Sequence, residues 1–152
     1  MDLLVEECDS LTLKRDIRLE ARRRKLNIVY AGDERGFLSI EPHAYAGGLA
    51  PFHGRDIHQD KPKEQYASPL DFMRALANWL GGWSALSARS RASLERVGQD
   101  LCGYPQLASE ARFAAGQLGH VARRILLGER FSPLLTHIDL EQLLPMSAVR
   151  QG

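Results

Sequence analysis

Two cysteines, Cys8 and Cys102, are all that these 152 residues contain, far apart and without a Cys-x-x-Cys spacing. That excludes a disulfide-built scaffold and fits a reducing compartment. Long apolar runs are missing as well. No window reaches the roughly 18 uninterrupted apolar residues of a membrane span, so no membrane association is expected. Charge of one sign is missing: 20 Lys+Arg face 19 Asp+Glu, a net +1. A dedicated duplex-DNA binder usually carries a stronger imbalance, so any nucleic-acid contact has to come from a local patch. Gly47-Gly48 and Gly81-Gly82 belong to no GxGxxG run and precede no Lys-Ser/Thr, so both read as joints, not phosphate cradles. There is no GxSxG elbow and no internal repeat. The opening Met1–Glu7 is acidic and breaks its apolar run after three residues, unlike a signal or transit peptide, and a cytoplasmic location is expected.

What is present is ordinary globular composition, 44% hydrophobic and 26% charged, at a length that supports a core without staples. Asp2, Glu6, Glu7 and Asp9 make the start acidic, and residues 14–25 then hold seven basic and two acidic side chains. Asp9 or Ser10 can cap a helix running to about Lys25. Leu13, Ile17 and Ala21 form its expected apolar stripe, and Arg15, Arg18 and Arg22 a basic one. Leu26, Ile28 and Tyr30 then alternate as a strand. Ala31–Gly36 is a turn by chemistry, Phe37–Glu41 a second strand, and Pro42 its limit. The two strands predict a hairpin that needs a further strand, a helix or a partner to be stable.

Residues 43–67 are punctuated by glycine and proline and show little periodicity. From Ser68 onward the pattern is helical. Ser68-Pro69 opens a first helix and Gly81-Gly82 ends it. A second spans about Ala85 to Cys102, placing Cys102 on its apolar side. A third runs from about Gln106 to Leu127, stopped by Gly128. Its Ala115, Gly116 and Gly119 are small enough to admit another backbone. Thr136–Asp139 reads as a capping box for a last helix through Leu144. The expected fold class is α+β, mostly α. A basic helix and small antiparallel β unit occupy 1–48, a long loop 49–67, and a three-to-four-helix bundle 68–152, packed as one domain.

Three constellations could carry chemistry. His53-x4-His58 with Asp56 is the densest set of potential metal ligands, and Glu41, His43 and Asp60 could join it in a metal-dependent hydrolase or nuclease. The spacing matches no established zinc signature, and no cofactor is expected. Cys8 sits among acids that raise a thiol pKa, which argues against a catalytic thiolate. The clearest electrostatic feature is Arg15, Arg18, Arg22, Arg23, Arg24 and Lys25, a cationic segment suited to phosphates or acidic surfaces.

Residues 17–45 resemble the opening of WYL-type regulatory domains. The likeness rests on Arg22-Arg23-Arg24-Lys25-Leu26-Asn27-Ile28-Val29-Tyr30 and on Ser39-Ile40-Glu41-Pro42-His43. It implies a small SH3-like barrel that senses a ligand or nucleic acid and regulates a partner. No Trp-Tyr-Leu strand follows Gly47-Gly48, and the helical half has no counterpart in that family. The first expectation is therefore a non-enzymatic accessory or regulatory protein. It would recognise nucleic acid or a nucleoprotein complex through the basic helix, with the helical half docking a protein partner or a second copy. The alternatives are the metal-dependent hydrolase and a mobile-element inhibitor that acts purely by protein binding.

Overall fold

The computed structural model describes residues 2–8, 10–42, 53, 66–79 and 81–144. The chain opens on strand β1 (Leu3–Val5), crosses through helix α1 (Leu11–Arg23) and returns as β2 (Asn27–Ala31). Parallel neighbours need such a crossover, and β1 and β2 pair in parallel, Leu3 opposite Asn27. Ser10 caps α1 as expected, its Oγ accepting from the Leu13 N–H at 3.2 Å. A tight turn leads into β3 (Phe37–Glu41), antiparallel to β2 with Val29 opposite Ile40. The predicted hairpin is thus present.

Helix α2 (Pro69–Trp79) begins at Ser68, whose Oγ accepts from the Asp71 N–H, and ends where Gly81 and Gly82 take φ of 114° and 96°. Helix α3 (Ala88–Arg96) is capped by Ser87, and α4 (Ala108–Leu126) stops before Gly128 at φ 88°. Strand β4 (Leu134–His137) and a single turn of helix, α5 (Leu140–Leu143), follow. The expected mostly helical α+β class is what the molecule has.

Three local expectations are corrected. Helix α3 stops at Arg96, and the chain turns back so that Val97 bridges Leu101. Cys102 is therefore exposed, not on a helix's inner side. Thr136 lies in β4, not at a helix cap, because Leu38 of β3 takes it as a strand partner. The β unit is not wholly antiparallel, because β1 joins β2 in parallel, and the four described strands lie in the order β1-β2-β3-β4.

The sheet is covered on both faces. Val29, Ala31, Leu38 and Ile40 meet Ala114, Leu118, Val121 and Ile125 of α4. Burying each larger side chain there contributes about 1.5–3 kcal/mol. On the opposite face Phe37 packs edge-on to Trp79 of α2 at 5.3 Å, with Tyr30 4.6 Å from the same indole. The alternation of β3 also puts Ser39 and Glu41 on that face, and both are buried.

Gly36 locks the hairpin to the C-terminal segment. It sits at φ 59°, and a Cβ there would lie 2.5 Å from the Ile138 carbonyl oxygen and 2.8 Å from the Phe113 ring. Gly36→Ala should cost about 2–4 kcal/mol through overpacking and backbone strain. Urea unfolding beside Gly103→Ala, where a Cβ meets nothing within 4 Å, provides the measurement and its control.

Candidate functional site

The inner face of α1 is charged. Its buried residues are Leu11, Lys14, Arg18 and Ala21, spaced so that they fall on one side of a helix. The expected stripe of Leu13, Ile17 and Ala21 is rotated: Ala21 is buried, but Leu13 is 48% exposed. The cause is carboxylate supply from two other elements. Glu6, just past β1, holds Lys14 at 3.0 Å and Arg18 at 2.7 Å. Glu41, at the end of β3, accepts from Arg18 Nε at 2.6 Å and faces Arg22 at 3.5 Å. Lys14 also sits 3.9 Å above the Tyr30 ring, and the Arg18 guanidinium 4.8 Å from the Trp79 ring.

Burial and charge oppose each other here. Burial pushes the Glu6 carboxyl up, but Lys14 and Arg18 more than offset this and hold it below the usual range. Burial pulls the Lys14 ammonium below its usual range, with Glu6 opposing. The same surroundings raise the Cys8 thiol to about 11, first by burial and then through Glu6. Cys8 is therefore a thiol, as its acidic neighbourhood suggested.

The six basic candidates separate accordingly. Arg18 is fully buried and paired, so it cannot reach a phosphate; this corrects its place on an outward basic stripe. Arg22 is mostly covered and points at Glu41. Arg15 is partly exposed beside Asp16. Arg23 and Arg24 are well exposed and both grip Glu20, holding its carboxyl down at about 2. Lys25 is exposed in the turn after α1, at φ 57°.

Of the metal candidates, His43, Asp56, His58 and Asp60 lie outside the described residues. His53 places its Nε2 2.9 Å from Ser39 Oγ, and Glu41 is neutralised by Arg18 and Arg22. Among the described residues no three His, Cys, Asp or Glu side chains converge as metal ligands. None of their helices is long and apolar enough to cross a membrane.

Two concave features were missed from the sequence. A cleft of about 340 Å³ lies between the Asp33–Arg35 turn and the starts of α3 and α4. Glu34, read as a turn former, is buried there. Its carboxylate accepts from the Ser87 N–H, Ser90 Oγ and Tyr104 hydroxyl. Burial raises the Tyr104 hydroxyl pKa, so it stays a donor. The arrangement clamps the start of α3 to the hairpin turn with a carboxylate at a helix N-terminus. The other feature, a groove of about 610 Å³, runs along α2 between Tyr66 and Trp83. The signal that could have found it is Trp83, four residues after Trp79 on the same side of a helical pattern.

No family model and no solved structure matches this chain. It is 32% identical over 151 residues to the uncharacterized protein MT1398 of Mycobacterium tuberculosis (strain CDC 1551 / Oshkosh), a match covering 95% of this chain and 20% of that protein. The chain thus spans about a fifth of the length of the curated relative it matches.

The charged cluster makes a signed prediction. A carboxyl held below its unfolded value of 4.5 contributes stability above that pH, and the contribution disappears as pH falls through the folded value. Stability should therefore drop on acidification below about pH 4.5, and less steeply in Glu6→Gln. At neutral pH Glu6→Gln should cost about 3–5 kcal/mol, because Lys14 and Arg18 lose their shared counter-charge. Denaturant unfolding across a pH series measures both effects.

Proposed function

We propose that this chain is an accessory or regulatory binding module of the cytoplasm that recognises the sugar-phosphate backbone of nucleic acid through the outer side of α1. The observation behind this reading is the division of labour along one helix. Lys14 and Arg18 anchor α1 to the sheet from within. Arg15, Arg23, Arg24 and Lys25 are left at the surface of a rigidly held element. Leaving out Arg22, which points at Glu41, these four outer cations exceed Asp16 and Glu20 by two charges. Forked guanidiniums on a fixed helix suit phosphate oxygens, and Glu20 can be exchanged for a phosphate at little cost because the pairs are exposed. The outer strip of α4 is the side available for a protein partner or a second copy. A Cβ at Gly116 or Gly119 there meets open space.

The test is binding to labelled single- and double-stranded nucleic acid at about 50 and 200 mM salt, where released counterions make affinity fall steeply. Arg23→Gln with Arg24→Gln should lower the slope of log affinity against log salt by about 1.5–2 and leave the circular dichroism unchanged. Absence of salt-sensitive binding to any nucleic acid overturns the reading in favour of a protein partner.

A further inference from the structure

The groove along α2 extends this reading and rests on it: we propose that it is a stacking site for an unpaired nucleobase of a single strand, with Trp83 as the platform. Its volume, about 610 Å³, falls in the range of small-molecule sites. Asp71, Arg74, Ala75 and Asn78 line it from one face of α2, at a spacing that aligns side chains on a helix. Trp83 packs on one side against the cluster of Phe37, Trp79, Leu86 and Leu94 and lines the groove on another. Its ring is therefore held in place before any ligand arrives.

The chemistry of the lining selects the occupant. The Arg74 guanidinium lies 5.7 Å from the Trp83 ring centre and 3.8 Å from the Asp71 carboxylate. Aromatic and guanidinium planes are what single-strand binders use to hold splayed-out bases. Asn78 offers a donor and an acceptor, and Asp71 an acceptor, for the edge of such a base. An acidic peptide would satisfy Arg74 but leave the indole unused.

The groove also adjoins the basic helix. Leu11, the first residue of α1, packs with Tyr66, Phe72 and Ala75 of the groove wall and its support. Arg15 comes one turn further along α1, and Arg23 lies about 18 Å from Leu11 along the helix axis. A strand with one base in the groove would thus continue toward Arg15, Arg23 and Arg24.

The chain holds two tryptophans, and Trp79 is fully buried, so ligand-induced quenching of indole emission reports Trp83. The experiment titrates the full chain with short oligothymidine and oligoadenosine strands. Emission reads stacking, and the anisotropy of the labelled strand reads total binding. The expected result is quenching by single strands and none by a duplex of equal length. Trp83→Phe should abolish the quench while the strand still binds. Trp83→Ala and Arg74→Ala should each weaken binding about tenfold. Binding by anisotropy without quenching overturns the groove as the site and leaves the role of α1 standing. Quenching that persists in Trp83→Phe overturns it likewise. No binding of any strand overturns both readings.

Discussion

One guanidinium with a carboxylate on either side organises this molecule. Arg18 lies fully buried between Glu6 and Glu41, and through it the segment after β1, helix α1 and the end of β3 meet at one point. The face of the sheet beneath α1 carries Tyr30, Ser39 and Glu41, and a purely apolar helix would leave that carboxylate without a counter-charge. Arg18 supplies it, with Arg22 at 3.5 Å. Buried ion pairs are often no more stabilising than well-packed apolar groups of the same volume. What this cluster contributes is orientation, since only one rotation of α1 brings Lys14 onto Glu6 and Arg18 between Glu6 and Glu41. The aromatic pair of Tyr30 and Trp79 completes the enclosure, with Lys14 and Arg18 near their ring faces.

That orientation decides what is left outside. Once Lys14 and Arg18 turn inward, Leu13 and Leu19 are half exposed, and Arg15, Arg23, Arg24 and Lys25 remain at the surface. A near-neutral chain thereby presents a locally positive helix without a large overall charge. The second carboxylate device, Glu34 at the start of α3, does a similar job on the other side of the hairpin. It joins the Asp33–Arg35 turn to Ser87, Ser90 and Tyr104. The Arg35–Asp139 pair then ties the same turn to the segment before α5. Both devices hold helices to the hairpin by charge, beside the apolar contacts of Leu94 with Phe37 and of Ala21 with Ile28.

Much of the element order was legible because it rests on local chemistry. Ser10 and Ser68 cap helices, Gly81, Gly82 and Gly128 stop them, and the alternation around Ala31–Gly36 marks the hairpin. The two outer strands were not legible. Leu3–Val5 and Leu134–His137 are too short to show a period of two, and each exists only because β2 or β3 offers it an edge. Of the candidate site, the exposed ends of the basic segment were readable from charge density. The burial of Arg18 was not, because its partners are 12 and 23 residues away in sequence. The groove was hidden for the same reason: Tyr66, Arg74 and Trp83 share no motif.

By itself, then, the amino-acid sequence determined the composition class, the hairpin, the starts of α1 and α2, the stops of α2 and α4, and the charge density of residues 14–25. Each follows from side-chain chemistry acting over a few residues. Only the tertiary structure decided which face of α1 points inward, which cations stay available, and that the ends of the described chain complete one sheet. Those outcomes depend on groups far apart along the chain, and a buried charge settles wherever the fold brings its counter-charge.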